Sequence, residues 1–296
     1  MRHCPDPATK EDKQLSEILK DFSTPALVTA IEANLFELLP LWVRLQQAGL
    51  YDGPDMMRYV TGVPHPLFNG VTRARLKPDD IDATINETLI HFKSRRLPMM
   101  WWTGPSTRPA DLGKHLQAHG LTHAGDSPGM AADLLALNED VPAPSGLTME
   151  RVGDVATLKK WLHPLTVGFE FPGFAAKAWF DLFAALGFDL HLPWQNYVSW
   201  LKGEPVACSS LFLAAGVAGI YNVATVPEAR RKGIGAAMTL APLREARGLG
   251  YRVAILHSSQ MGLGVYHRLG FEEYCTLSHY VWAGEPNPSE ERGNGA

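Results

Sequence analysis

The 296-residue chain has three cysteines, Cys4, Cys208 and Cys275, set far apart, with no CxxC pair and no His/Cys ladder. That spacing supports neither a disulfide framework nor a structural zinc site, and it fits a reducing cytoplasm. No apolar run approaches the ~20 residues of a membrane-spanning helix, and Met1-Arg2-His3-Cys4-Pro5-Asp6 lacks the apolar core of a signal peptide. Excess positive charge is missing too. The 27 Lys+Arg against 31 Asp+Glu give a formal net charge of −4, which supplies no global field for gripping a phosphate backbone. The expectation is a cytoplasmic protein with no nucleic-acid and no membrane partner, with monomer and homodimer both open. What is present is apolar: 46% hydrophobic residues exclude a disordered chain, and at ~150 residues per domain the length suggests two domains or one large one.

Residues 1–14 and 284–296 are polar and have too few apolar side chains to offset the entropy of ordering, so both are expected to be flexible tails. The clearest internal break is Asn138-Glu139-Asp140-Val141-Pro142-Ala143-Pro144-Ser145-Gly146, where two prolines and a glycine interrupt every periodic pattern. A linker over 138–146 would divide a domain at 15–137 from one at 147–283.

Past that linker, Leu147 to Val152 alternates as a half-buried strand does, Asp154 caps a helix reaching about Val167, and Ala175 to Leu186 reads as a helix ended by Gly187. Tyr197 to Leu201, Val206 to Ala214 and Ala218 to Val226 form an antiparallel meander with turns at Lys202-Gly203-Glu204-Pro205 and Gly216. A helix over 234–247, a strand over 251–256, a helix over 260–269 and a strand pair around Phe271 to Trp282 complete the order β-α-α-β-β-β-α-β-α-β.

The most informative stretch is Val226-Pro227-Glu228-Ala229-Arg230-Arg231-Lys232-Gly233-Ile234-Gly235-Ala236, a strand end passing into a helix start through two glycines. Helix N-termini present unpaired N–H groups and a positive dipole end, and glycines let an anion approach them without a Cβ in the way. Three successive cations, Arg230, Arg231 and Lys232, add charge where a phosphate would sit. The Walker A spacing G-x-x-x-x-G-K-[ST] is absent. A dinucleotide fingerprint fails because Gly233-Ile234-Gly235-Ala236-Ala237-Met238 ends in Met and follows an antiparallel meander. Arg230-Arg231-Lys232-Gly233-Ile234-Gly235 matches [Q/R]-x-x-G-x-[G/A] and resembles the coenzyme A pyrophosphate loop of the GNAT superfamily of N-acetyltransferases.

Ser259-Gln260-Met261-Gly262-Leu263-Gly264-Val265-Tyr266-His267-Arg268-Leu269-Gly270-Phe271 extends the resemblance, because it is similar to the superfamily's late helix, N-x-x-A-x-x-x-Y-x-x-x-G-F. Ser259 stands where Asn is usual and Gly262 where Ala is usual. The resemblance spans roughly 147–283 and implies an α/β (α+β) fold class, a mixed and mostly antiparallel sheet flanked by helices. It also implies acetyl-CoA as cosubstrate with no metal, and transfer of an acyl group to the primary amine of a small-molecule acceptor. On it, the loop Arg230, Arg231, Lys232, Gly233, Ile234, Gly235 and Ala236 holds the pyrophosphate, and Ser259 lies on the pantetheine side. Tyr266 is then the general acid for the leaving thiolate, since a phenol of ordinary pKa ~10 is protonated at pH 7. Ser259 and Tyr266, seven residues apart, are expected on one face of a single helix. The resemblance further implies that the oxyanion donor is a backbone N–H near the end of strand 218–226. Pro227 has none, which leaves Thr225 or Val226.

The general base is less constrained. Strand 218–226 has no carboxylate, and the acceptor-side candidates are His163, Glu170, Asp189 and His191. Glu170 is favoured because Phe169 and Phe171 would desolvate it. A CoA-binding sensor without turnover, a protein acetyltransferase and a nicotinamide dehydrogenase are the competing readings. The near-neutral charge and the presence of a whole covering domain favour a small acceptor.

Residues 15–137 lack a phosphate loop, yet their final third echoes 234–283: a helix over 79–96, a strand over 98–103, a helix over 110–119, Gly120-Leu121, and a strand over 130–135. Aligning Gly120 with Gly270 puts Leu116 where Tyr266 stands, and Lys77-Pro78-Asp79-Asp80 where the glycines would be. The expectation is a degenerate GNAT-like domain. Trp101 and Trp102 must point to opposite faces of their strand, one into the core and the other to an interface between halves or to the acceptor cleft.

Overall fold

A computed structural model describes residues 17–45 and 48–284; both expected tails, apart from Gly284, lie outside the described residues. The first half runs α1 (Thr24–Leu38), β1 (Gly49–Asp52), β2 (Met57–Val60), β3 (Asn69–Thr72), α2 (Ile81–Lys93), β4 (Met99–Thr103), α3 (Leu112–Ala118) and β5 (Thr122–Asp133). The second runs β6 (Thr148–Arg151), α4 (Val155–Phe169), α5 (Gly173–Leu186), β7 (Trp194–Leu201), β8 (Glu204–Ala214), β9 (Val217–Thr225), α6 (Ile234–Gly248), β10 (Val253–His257), α7 (Leu263–Leu269) and β11 (Glu272–Trp282). This is the expected order, in a mixed α/β fold. Asp154 caps α4 as read, its carboxylate accepting from the Thr157 N–H at 2.7 Å.

Two elements differ from expectation. Helix α7 begins at Leu263 rather than at 260, because the chain from Ser259 to Gly262 closes a turn in which the Gly262 N–H meets the Ser259 carbonyl at 3.0 Å. The anticipated strand pair at 271–282 is one unbroken strand, β11. Its sequence Glu-Glu-Tyr-Cys-Thr-Leu-Ser-His-Tyr-Val-Trp has no Gly, Pro, Asn or Asp with which to turn.

All eleven strands form one sheet in the order β1-β2-β3-β4-β11-β5-β10-β9-β8-β7-β6. Its centre is an exchange of strands. β11, from the second half, is inserted between β4 and β5 of the first, while β5 lies between β11 and β10. The contacts on either side mirror each other: β3 pairs parallel with β4, and β9 parallel with β10. One face of the sheet carries α1, α4 and α5 over a core that includes Ile31, Trp161 and Ile255; the other carries α6 and α7 over Met238, Leu256 and Phe271. Helices α2 and α3 bury Ile85, Leu112 and Leu116 against Trp101. Trp101 is fully enclosed there, whereas Trp102 points to the α1 face and packs edge-on against His279 of β11, with ring centroids 4.2 Å apart. Trp102 thus sits where the two halves meet.

Helix α1 starts with Pro25 in its first turn and buries Leu27, Ala30, Ile31 and Leu35 at helical spacing. It crosses to the other half. Asn34 donates to the carbonyl of Ala214 in β8 at 2.9 Å, and Tyr221 of β9 donates to the Asn34 side-chain oxygen at 2.7 Å. Among the described residues, no helix is long and apolar enough to cross a membrane.

Because β5 and α1 complete the second half, deleting residues 1–140 should strip β10 and β11 of their shared partner and leave an open edge. The fragment is expected to be insoluble or to lack a cooperative thermal transition by circular dichroism. A soluble monomer melting cooperatively would contradict the interdependence of the halves.

Candidate functional site

The parallel pairing of β9 with β10 stops at Ile220 opposite Leu256, after which the strands separate and β9 runs on to Thr225. Beside this parting β9 carries a bulge, a register shift between Cys208 and Ser210 of β8, with Asn222 in the left-handed region at φ 54°. The Val226 N–H donates to the Val206 carbonyl at 2.9 Å, so it is spent on β8 and cannot be the oxyanion donor. Neighbouring N–H groups alternate in direction along a strand, and that of Thr225 therefore faces the cleft.

Beyond Thr225 the chain makes a single short turn and reaches α6. Among the described residues, none of the backbone N–H groups of Arg231, Lys232, Gly233, Ile234, Gly235 and Ala236 has a hydrogen-bond partner. Six free donors in sequence at the start of a 15-residue helix form an anion cradle. The two glycines serve it differently. Gly233 has φ 78°, and a Cβ there would overlap the Pro142 carbonyl oxygen of the 138–146 segment. A Cβ on Gly235 would enter open space, its nearest neighbour being the Thr225 Oγ1 at 4.0 Å, so the vacancy above Gly235 is available to a ligand. The buried side chain of Ile234 belongs to the core, as does that of Ala236, and only their backbones face the cradle.

The cations divide in the same way. Arg230 was expected to meet the phosphate, but its Nε donates to the Thr225 carbonyl at 3.0 Å and its Nη2 to the Gly168 carbonyl at 3.3 Å. Its guanidinium braces the end of β9 against the end of α4. Arg231 and Lys232 are exposed, and Lys232 Nζ reaches the Glu228 carbonyl at 2.8 Å. The 138–146 segment is held along α6 by Glu139, which bridges Arg244 at 2.7 Å and Arg247.

Tyr266 stands on the α6/α7 face. Its ring lies over Gly262, where a Cβ would come within 2.7 Å of the ring, which explains a glycine where alanine was anticipated. Its hydroxyl has no hydrogen-bond partner among the described residues, and burial pushes the phenol up to about 12. Ser259 does not share a helix face with it, since α7 starts four residues later; the Ser259 Oγ accepts from the Gly262 N–H at 3.2 Å and shapes the turn before the helix.

On the opposite face, Glu170 ends α4 in the left-handed region at φ 56° and is exposed. Phe169 and Phe171 stack on each other with centroids 5.6 Å apart instead of enclosing it, so the desolvation expected of them is not present. His163, Asp189 and His191 are exposed as well. The sequence reading missed His257, the last residue of β10. Its ring is 5.9 Å from Tyr221, its Nε2 is buried without a partner, and burial drives its pKa down to about 4. Its only sequence signal is a polar residue ending an apolar strand.

The matching place in the first half is closed. Past β3 and β4 the chain stays laced together, the Arg108 N–H meeting the Ala74 carbonyl and the Leu76 N–H the Arg108 carbonyl, both at 2.9 Å. The buried Glu32 carboxylate fills what remains, accepting from the Ser106 N–H at 3.1 Å and the Ser106 Oγ at 2.9 Å. Leu116 is wholly enclosed, and α2 is preceded by exposed Asp79 and Asp80. Among the described residues no group of His, Cys, Asp and Glu could hold a metal ion.

Residues 194–273 match the family model described as Acetyltransferase (GNAT) domain. No curated protein matches the chain. A GCN5-related N-acetyltransferase from Kribbella flavida is similar over 88% of this chain and 98% of its own, at 18% identity and a TM-score of 0.64. One from Sphaerobacter thermophilus is similar over 89% and 94%, at 17% identity and 0.59. A tandem GNAT protein from the clavulanic acid biosynthesis pathway is similar over 92% and 98%, at 14% identity and 0.54. At these identities the likeness is one of fold, and the fold is GNAT-like and tandem.

Two measurements check the site. Gly235→Val should weaken CoA binding more than tenfold in titration calorimetry with little change in ligand-free Tm, whereas Gly233→Ala should lower Tm, because its φ and the Pro142 carbonyl both oppose a Cβ. His257 and His279, each pushed down to about 4 by burial, lie below the ~6.5 of an unfolded histidine. Their neutral forms stabilise the fold fully above pH ~6.5, and that contribution disappears as pH falls through about 4. The urea midpoint should drop over this window, and less steeply in His279→Phe.

Proposed function

We propose that this chain, which carries a GNAT acetyltransferase domain over residues 194–273, transfers an acetyl group from acetyl-CoA to a primary amine of a small molecule by direct attack. The observation that carries the reading is the run of six unpartnered N–H groups at 231–236, beside a cleft where two parallel strands part. An extended pantetheine arm leading back from a pyrophosphate on that run would follow β9 toward the bulge at Asn222. The Thr225 N–H faces such an arm, and Tyr266 approaches from the α6/α7 face.

In this reading the acceptor nitrogen attacks the thioester carbon, a C–N bond forms, and the C–S bond breaks to release the thiolate of CoA. Tyr266 assists the departure. A phenol held at about 12 keeps its proton throughout the neutral range. Complete transfer to a thiolate whose conjugate acid lies near ~8.5 would be uphill, so the assistance is a hydrogen bond to sulfur that strengthens as charge develops there. Glu170, exposed at the cleft edge, remains a candidate for receiving the acceptor's proton through water.

Tyr266→Phe keeps the ring on Gly262 and removes the hydroxyl. The expected outcome is a ~10²-fold loss in kcat, followed by thiol release, with CoA affinity kept. Because the phenol titrates at about 12, wild-type kcat should show no descending limb from it at pH 9–10. Undiminished turnover by the variant would make Tyr266 structural, and CoA binding without any thiol release would favour a sensor.

A further inference from the structure

The parting of β9 and β10 has two faces, and the one opposite Tyr266 is neutral. Tyr221 and His257 are the first residues past the last paired register, and both point to the α1/α4 side. Trp194 and Phe212 pack on Tyr221 at 5.8 and 6.5 Å, and Asn34 of α1 accepts the Tyr221 hydroxyl. His257 Nε2 is buried with no hydrogen-bond partner among the described residues, and burial keeps the ring neutral. A buried polar atom left unpaired is costly, and in a cleft it marks a place for a ligand or a water.

The charged and titratable groups around this imidazole are few. His279 on β11 is itself held neutral by burial, Cys275 on β11 keeps its thiol proton, and Tyr221 on β9 is raised by burial. On α1, the Glu32 carboxylate, which also faces Cys275, is committed to Ser106. Among the described residues no carboxylate hydrogen-bonds or ion-pairs with Tyr221 or His257, and Asp126, which faces His279, is committed to His123 and Ser278. An alkylammonium brought here would lose its water and gain no counter-ion, which is expensive.

We propose that the acceptor nitrogen is weakly basic and enters uncharged, as an arylamine, hydrazine or hydroxylamine does, and that His257 Nε2 accepts its N–H. The inference rests on the acetyltransferase reading and narrows its substrate class. As the nitrogen bonds to the thioester carbon and the thiolate leaves, the proton lost from nitrogen passes to His257 Nε2, which releases it when the products depart and water re-enters, and the sulfur takes its own proton from solvent under the Tyr266 hydrogen bond. A neutral imidazole with its pKa at about 4 suits this task, since drawing a proton from an alkylammonium near ~10 would be far uphill.

The test uses the full chain, acetyl-CoA and three probes of similar size: aniline, phenylhydrazine and benzylamine. Aniline or phenylhydrazine should exceed benzylamine in kcat/KM by at least tenfold at pH 7.5. His257→Gln and His257→Ala should each lose more than tenfold in kcat/KM for the favoured probe, with CoA affinity unchanged by calorimetry and added imidazole restoring turnover in the Ala variant. The wild-type kcat/KM for the favoured probe should be flat from pH 7 to 9, and a purely structural His257 would give an Ala variant that imidazole does not rescue. Preference for benzylamine, failure of both weakly basic probes in a protein that binds CoA, or full activity in a folded His257→Gln would each overturn the proposal. Failure to bind CoA at all would instead overturn the acetyltransferase reading beneath it.

Discussion

The exchange of β5 and β11 constrains everything else in the molecule. A sheet in which each half's last strand is hydrogen-bonded by the other half cannot be divided without exposing two ladders, so the chain behaves as one body around a shared centre. That centre fixes β10, and the position of β10 fixes where β9 must diverge from it. The cleft is a consequence of the sheet's own geometry. Helix α1, drawn across to Ala214 and Tyr221, then makes the first half a wall of the second half's site.

The same scaffold yields opposite results at its two ends. In the second half the strands part, a bulge turns the backbone at Asn222, and the loop into α6 leaves six N–H groups unpaired. In the first half the corresponding chain is stitched by Ala74, Leu76 and Arg108, and the chain's own carboxylate, Glu32, takes up the Ser106 donors. An anion already bonded in place leaves nothing for a second one to do. Pro78, Asp79 and Asp80 complete the difference, having one N–H fewer and two charges of the wrong sign.

The sequence made the element order and the loop legible because both depend on local chemistry. Gly233 needs its left-handed φ, Asp154 its cap, and the meander its turns, and each leaves a mark in a few adjacent residues. Strand exchange left no such mark, since which ladder β11 joins is decided by residues more than a hundred positions away. Arg230 and Val226 were misread for a related reason: a cation beside a phosphate loop and a free strand end look available until β8 and α4 are brought up to them. His257 was passed over because a lone histidine after Val-Ala-Ile-Leu is ordinary in sequence and becomes unusual only when its Nε2 is found enclosed and unpaired. The late start of α7 followed from the turn between Ser259 and Gly262, a residue whose missing side chain accommodates the Tyr266 ring.

The central claim is that one half of this chain holds the cosubstrate and the other half cannot. Titration calorimetry of the full chain with CoA tests it directly. One site per chain is predicted, abolished or weakened more than tenfold by Gly235→Val. A stoichiometry near two, with a site that survives this substitution, would contradict the account.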